Sequence, residues 1–550
     1  PVMGKVWSID AVAKNKSKTI YGNIVALSES PKMQDLLYVG TDDGLIHISP
    51  DAGTTWKKIE SVSGVPSKTY VNMLLASQHS ENTAYAVFNN HKNGDFKPYV
   101  YRSRDKGAAW TSITGNLPER GSVYCIAEDH VDPNLLFVGT EFGVFVTVDG
   151  GAKWTQLKSG IPTVAVRDME IQKRENDLVL ATFGRGFYVL DNYAPLREIT
   201  EEVLESESAK IFAIKDAEMY LEGSRLGRRG KTFQGESYFT TPNPRIGAEI
   251  RFFVKEAPKT LKEQRIEKEK ELIKNNANVP YPTHEEIRAE DTEKDPFYIL
   301  EISDNSGTVI RRIKQPAKAG IQSVIWDLRY DSQSPVTTEN KAPKNIYQGY
   351  DFGRMALPGK YNVSIFQMYQ GKVSKLVGPQ EFSLKFLEIN KQMGYDRSGI
   401  EQFAKEVAEA RNQMGKMNNV RKDFINRYNY LQEAVIATPK ADKKLMEDLT
   451  KIYEQLANID IRLFGDRSIS KREFETLPSV NSRLGTVVYY LWRTTSEPTS
   501  TQREQVQLAI AELTFIEDEL KSIQTQLIDI QNQLKAAGVS YTPGWMPDIE

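Results

Sequence analysis

The sequence holds a single cysteine, Cys125, among 550 residues. One thiol excludes an internal disulfide framework and a cysteine-built metal cluster. An excess of either charge is also missing: 71 Lys and Arg stand against 73 Asp and Glu, for a net charge of −2. That balance sets up no field that draws a polyanion, which excludes nucleic acid as the main partner. No apolar run approaches the ~20 residues of a membrane-crossing helix, so no transmembrane segment is expected. Histidine is scarce, with five in all. His284-Glu285 begins like a zinc motif, but Arg288 stands where the second histidine belongs. No metal and no cofactor is therefore expected. What remains is an ordinary globular composition, 40% apolar and 26% charged, long enough for two to four domains.

What the sequence does have is a repeat. "ISPDAGTTWKKI" (Ile48 to Ile59), "SRDKGAAWTSI" (Ser103 to Ile113) and "TVDGGAKWTQL" (Thr147 to Leu157) share the pattern S/T-x-D-x-G-x-x-W. Each is preceded by two apolar runs with period-two alternation, as in Leu37 and Val39 or Leu136 and Val138. The units start at Gly22, Thr69, Gly121 and Val164, about 40–50 residues apart, the length of a four-stranded β-propeller blade. The motif falls between the third and fourth strands. Asp51, Asp105 and Asp149 are expected to accept hydrogen bonds from turn amides, with Gly53, Gly107 and Gly151 supplying positive φ. Trp56, Trp110 and Trp154 are expected to plug each blade against its neighbours. Three carboxylates in three equivalent turns do not converge on one substrate, so the motif is structural. The fourth unit, "GFYVLDNYAPLRE", lacks the Gly-x-x-Trp after Asp191, and Pro195 breaks its ladder. It is expected to be the last blade.

The motif resembles the Asp-box, or BNR repeat, of sialidases, sortilin-type propellers and large propeller glycoside hydrolases. "VGTDDGLIHIS", "YVYRSRDKGAAWTSI" and "ATFGRGFYVLDNYAPLRE" resemble the end of the propeller in bacterial proteins of the "glycosyl hydrolase, BNR repeat" or "sortilin N-terminal domain-containing" kind. The resemblance covers roughly residues 20–390. It implies an extracellular, periplasmic or outer-membrane-associated bacterial protein whose signal peptide is not in this chain. Only four blades are counted, so the chain is expected to be the C-terminal part of a longer protein. Blades from an N-terminal propeller portion would then complete the ring.

Residues 1–198 are thus assigned to four blades and 199–243 to a transition. The transition carries "GSRLGRRGK" (Gly223 to Lys231), a solvated loop or a site for anionic sugars or lipid headgroups. Residues 244–390 alternate again, and "WDLRY" with "LPGKYNV" suggests an immunoglobulin-like β-sandwich with Trp326 in its core. A charged insert at 256–295 is expected to be an exposed helix followed by an irregular loop. From Ser398 the period becomes 3.6. Val506, Ala509, Leu513, Ile516, Leu520, Ile523, Leu527, Ile530 and Leu534 form a heptad seam. Residues 397–537 therefore suggest an antiparallel helical bundle. The seam is either its internal core or a docking site for another chain. Residues 538–550 form an extended tail with Trp545. The fold class is multidomain, mainly β and then α.

Blade topology puts the strand 2–3 hairpins and the inter-blade loops on the face opposite the Asp motif. That face nominates Asp42, Asp43, the hairpin Asn89 to Asp95 with His91, Glu141, Phe142, Phe183 and Arg185, with Arg120 and Arg167 in or near inter-blade loops. A glycoside hydrolase needs two carboxyl groups about 5–9.5 Å apart. Asp42 or Asp43 with Glu141 are the weak candidates for such a pair. A sialidase needs an arginine trio and a Tyr nucleophile, and the usual Arg-Ile-Pro signature is absent from the propeller. Three functions stay open. The first is a binding or scaffold protein that holds a protein or glycan through the propeller face or the bundle. The second is a glycoside hydrolase acting on a polysaccharide, and the third a sortilin-like peptide receptor.

Overall fold

Each copy of the repeat folds into its own antiparallel sheet. The computed structural model describes residue 8 and residues 22–220, 235, 245–332, 334–336, 353–387, 397–491 and 496–543. The chain divides into two units, Pro1–Ser208 and Ala209–Glu550. The basic cluster at Gly223 to Lys231 and the tail at Trp545 lie outside the described residues.

In the first unit, sheet one runs β1 (Ile24–Glu29), β2 (Leu37–Thr41), β3 (Ile46–Ser49) and β4 (Lys57–Ile59). Sheet two runs β5 (Tyr70–Ala76), β6 (Ala84–Asn89), β7 (Tyr99–Ser103) and β8 (Thr111–Ser112). Sheet three runs β9 (Val123–Glu128), β10 (Leu136–Thr140), β11 (Gly143–Thr147) and β12 (Thr155–Leu157). Sheet four has β13 (Val166–Gln172), β14 (Asp177–Thr182) and β15 (Phe187–Leu190), and no fourth strand among the described residues. The first strands stand side by side, β1 against β5, β5 against β9, and β9 against β13. Meanders fanned out from a row of first strands are the packing of β-propeller blades. Two glycines set the closeness of that row. A Cβ on Gly40 would lie 2.5 Å from Val71 Cγ1, and one on Gly139 would lie 2.7 Å from the Val166 carbonyl oxygen.

After β15 the chain does not add a strand. It crosses back to sheet three, where Arg197 grips the buried Asp129 with Nε and Nη2 at 2.8 and 2.7 Å. The Tyr193 hydroxyl donates to the same carboxylate at 2.6 Å. Burial raises the Asp129 pKa, but the hydrogen bonds from Arg197, Tyr193 and the Asp132 amide prevail and hold it at about 2. A short helix, α1 (Glu201–Ser206), closes the unit.

The three Asp motifs share one hydrogen-bond pattern. The Ser49, Ser103 and Thr147 hydroxyls donate to Asp51, Asp105 and Asp149 at 2.9, 2.7 and 2.6 Å. The same hydroxyls accept the amides of Gly53, Gly107 and Gly151 at 2.7, 2.8 and 3.0 Å. The carboxylates accept the amides of Thr55, Ala109 and Lys153. The three glycines take φ of 88°, 81° and 102°. Such turns strain any side chain, and a Cβ on Gly107 would also lie 2.5 Å from Ile48 Cδ1. The tryptophans are less uniform than expected. Trp154 is 3% exposed and donates Nε1 to the Ile113 carbonyl of sheet two at 2.9 Å. Trp56 is 45% exposed, because no described sheet precedes its own.

In the second unit, β16 (Ala209–Ile211), β18 (Ala248–Val254) and β21 (Gly320–Trp326) form a three-stranded sheet. Its partner is a five-stranded sheet in the order β17 (Ala217–Met219), β23 (Lys372–Phe386), β22 (Gly359–Tyr369), β19 (Phe297–Asp304), β20 (Val309–Pro316). The two sheets share one core. In it Trp326 is fully buried, with its ring centroid 5.2 Å from Tyr361 and 6.0 Å from Phe382. Strands β16 and β17 fall in the stretch assigned above to a transition. Three residues each are too short to show an alternation. The charged insert holds two helices where one helix and a loop were expected: α2 (Leu261–Lys274) and α3 (His284–Thr292). Both start in capping boxes, Thr260 with Glu263 and Thr283 with Glu286. Arg265 clamps them together through a bidentate pair with Glu290 at 2.6 and 2.9 Å.

The helices that follow are α4 (Arg397–Ala437), α5 (Lys444–Phe464), α6 (Arg467–Ser470), α7 (Val480–Leu491) and α8 (Ser500–Ala536). All nine seam residues of α8 are buried in a core shared with α4, α5 and α7. Arg462 of α5 reaches Glu512 and Glu519 of α8 at 2.5 and 2.7 Å. Arg421 of α4 reaches Asp460 of α5 at 2.9 Å. These pairs fix the helix register around an apolar seam.

Two predictions follow from these local structures. The carboxylates of Asp51 and Asp105 are held below the ordinary range, chiefly by the amides of Thr55 and Ala109. For Asp149, partial burial raises the pKa, and hydrogen bonds from Thr147, Lys153 and Ala152 outweigh it. A carboxylate with a lowered folded pKa stabilises the fold fully above its unfolded value of about 4. That contribution is lost as pH falls through the folded value. Asp149→Ala should therefore cost about 0.5–2 kcal/mol at pH 7, as loss of a capping side chain does. In urea melts the gap from wild type should shrink below pH 4; an unchanged midpoint at pH 7 contradicts this. In the insert, limited trypsin should cut first after Lys274, at the exposed end of α2, and leave Arg265 intact. A first cut inside α4, α5 or α8 would be the contrary result.

Candidate functional site

The two ends of the blades are chemically different. At one end the Asp motifs bond to the strand 1–2 turns: Ala52, Lys106 and Gly150 donate to the Asp35, Asn82 and Asn134 carbonyls. At the other, the strand 2–3 hairpins bond to the inter-blade loops. There Asp42 donates to the Asn23 carbonyl, Glu141 to Ser122, and Phe183 to Ala165. The nominated residues lie at this second end.

Here the structure draws together residues from successive sheets. In sheet one, Asp42 accepts the Gly22 and Asn23 amides and the Asn23 Nδ2 at 2.8, 3.0 and 2.8 Å. Asp42 also raises the pKa of Tyr70 in sheet two, after burial as the larger cause. The Lys92 ammonium lies 4.9 Å from the centre of the Tyr70 ring. Beside it, His91 Nδ1 meets Asn89 Oδ1 at 2.5 Å. Asn89 is buried, and its side chain lies beside the Tyr124 hydroxyl of sheet three. Tyr124 donates to Glu141. Burial, and then this bond, push the Tyr124 phenol up to about 12, so it stays a donor at neutral pH. Asn72 of sheet two anchors the Tyr124 carbonyl at 2.5 Å. The Arg167 guanidinium of sheet four lies 3.8 Å over the Tyr124 ring and 5.1 Å from the Phe183 ring.

Glu141 and Arg167 are thus joined through Tyr124, Phe183 joins them through Arg167, and His91 approaches the same group through Asn89. Phe142 is 47% exposed at the tip of its hairpin, and its carbonyl accepts Gln156 Nε2 at 3.0 Å. Arg120 and Arg185 are exposed. Asp43 is not part of this group. Its side chain is buried in its own hairpin and accepts the Thr41 hydroxyl at 2.5 Å. Asp42 and Glu141 share no partner; each is bonded within its own sheet. Asn89 opens the hairpin that the sequence nominates with His91, whereas Tyr70, Asn72 and Tyr124 sit in strands and pass in the sequence as ordinary strand residues. The signal available was their place at the hairpin end of β5 and β9. Among the described residues no group of His, Cys, Asp and Glu is placed to hold a metal ion. No helix there is long and apolar enough to cross a membrane.

No family model and no curated protein matches the chain. Among solved structures it is similar to the GH74 xyloglucanase from Xanthomonas campestris, at 15% identity over 32% of this chain and 30% of that one, with a TM-score of 0.26. YCF48 from Cyanidioschyzon merolae is similar at 16% identity over 32% of this chain and 54% of that one, TM-score 0.24. The Niastella koreensis GH74 enzyme is similar at 11% identity over 66% of this chain and 47% of that one, TM-score 0.25. The chain therefore spans less than two thirds of each of these proteins. Likeness at this level says nothing of activity.

Arg167 lies on the surface of this face, not in the core, and a cation–π contact at an exposed site is worth about 0.5–1 kcal/mol. Arg167→Ala should lower stability by no more than about 1 kcal/mol in denaturant melts. A loss above about 2 kcal/mol would make Arg167 a structural residue.

Proposed function

We propose that the chain is a binding and scaffold protein that holds a protein or glycan against the hairpin end of its blades. We place it in a secreted or outer-surface bacterial setting. The observation that supports this is Arg167, exposed and spread over the Tyr124 ring with Phe183 69% exposed beside it. A planar cation fixed on an aromatic ring keeps its N–H edge directed at solvent, and it loses little side-chain entropy when a ligand arrives. Exposed aromatics beside it supply an apolar contact. The carboxylates of this face are used within their own sheets: Asp42 on the Asn23 segment, Asp43 on Thr41 and Glu141 on Tyr124. That arrangement favours holding over hydrolysis. We also read the two facing sheets of the second unit as an immunoglobulin-like sandwich, on the strength of their common core around Trp326.

The test is a screen of glycans and surface-protein peptides for binding, run beside hydrolysis assays on any polysaccharide that binds. Arg167→Ala and Phe183→Ala should each weaken binding tenfold or more, with no product released by wild type. Turnover that disappears in Glu141→Gln would replace this reading with the glycoside hydrolase.

A further inference from the structure

The four sheets repeat, so the same position can be compared in each. One flank of every sheet faces the sheet that follows. On that flank, β2 and β3 of sheet one present Tyr38, Ile46 and Ile48, exposed by 0, 0 and 5%. Sheet three presents Phe137, Val144 and Val146, exposed by 0, 1 and 6%. Register assigns the equivalents in sheet four. Val144 and Val146 pair with Gly139 and Phe137, while Phe187 and Val189 pair with Ala181 and Val179. Phe187 and Val189 are 77 and 53% exposed.

The opposite flank faces the preceding sheet. Leu74, Ile126 and Met169 occupy one position there, paired with Ala86, Val138 and Leu180, and are 3, 0 and 4% exposed. Leu27, paired with Val39 in sheet one, is 67% exposed. The tryptophans show the same contrast, since Trp154 is 3% exposed and Trp56 45%. Two positions that are apolar and buried at every internal joint are thus apolar and bare at the two ends of the row. Among the described residues, β1 and β13 are not packed together as the other neighbouring first strands are.

We infer that both end flanks are docking surfaces for further four-stranded sheets of the same repeat, belonging to the same propeller. The occupant is specified by the joints already present. A sheet on the Leu27 flank brings a large apolar residue where Tyr85 and Phe137 stand, and a carbonyl for Trp56 Nε1 as Ile113 provides for Trp154. A sheet on the Phe187 flank brings an aliphatic residue where Ile126 and Met169 stand. It also brings β13's row a next first strand, close against Ala181 as Val71 lies against Gly40. A second copy of this chain also offers two complementary flanks. Continuity with the three joints already made along the row favours added sheets of one propeller over a pair of identical chains.

Cysteine labelling tests this. Cys125 is 1% exposed and burial pushes its thiol pKa up, so the native background is silent, and labelling of Cys125 reports unfolding. Leu27→Cys, Val189→Cys and, as a control on α8, Phe515→Cys are introduced singly. Each is made in this 550-residue chain and in the complete translated product of its reading frame. Maleimide should react freely at all three positions in the 550-residue chain. In the complete product it should react at least tenfold more slowly at positions 27 and 189, and equally at 515. Equal rates in both forms at all three positions overturn the inference. So does protection of 27 and 189 in the 550-residue chain together with a doubled mass by light scattering, which assigns the flanks to a second copy.

Discussion

A four-stranded meander has two apolar flanks and too little thickness to bury either by itself. The first unit is shaped by that constraint. Tyr38, Tyr85 and Phe137 are each driven against the next sheet, and Leu74, Ile126 and Met169 against the one before. Burying a large apolar side chain is worth about 1.5–3 kcal/mol, so each joint adds several such contributions. The local devices serve those joints. Gly40 and Gly139 let the next first strand approach. The hydroxyl, carboxylate and glycine of the second and third Asp motifs turn the chain so that the fourth strand and its tryptophan, Trp110 or Trp154, reach back to the preceding sheet. Asp129 with Tyr193 and Arg197 ties the end of sheet four to sheet three, where a fourth strand would otherwise hold it.

The hairpin end inherits its chemistry from the same packing. Because the first strands stand side by side, Asn72, Tyr124 and Arg167 occupy corresponding places at the register shift of β5, β9 and β13, where Asn72 bonds the Tyr124 carbonyl and Arg167 lies over the Tyr124 ring. Residues about 50 positions apart thus come into contact without any long-range motif. The row is held by hydrogen bonds to Asp42 and Glu141 and by Lys92 and Arg167 over aromatic rings. Tyr124 stays protonated through the neutral range and keeps its bond to Glu141 as a donor.

Much of the first unit was legible because its signals are local: period-two alternation, positive-φ glycines and a hydroxyl two residues before each Asp. The turn hydrogen bonds of the Asp motif were legible for the same reason. The α8 seam was legible from its spacing alone, and every one of its residues is buried. What escaped depends on neighbours that sequence does not place. Trp56 carries the same motif as Trp154 and is half bare because of what lies beside it, not because of its own sequence. Tyr124 and Asn72 look like any strand residues until the adjacent sheet is known. Strands β16 and β17 are too short to carry a period, and the capping boxes at Thr260 and Thr283 were hidden in an even run of charge.

Flank burial is the source of blade stability, and amide hydrogen exchange of the 550-residue chain measures that directly. Sheets two and three are covered on both flanks, and sheets one and four on one. The central strands β6 and β10 should exchange slowest in the first unit, and β2 and β14 markedly faster, although all four make ladder hydrogen bonds on both sides. Equal protection across the four central strands, or slowest exchange in β14, would show that each sheet is stable by its own hydrogen bonds and would contradict the account.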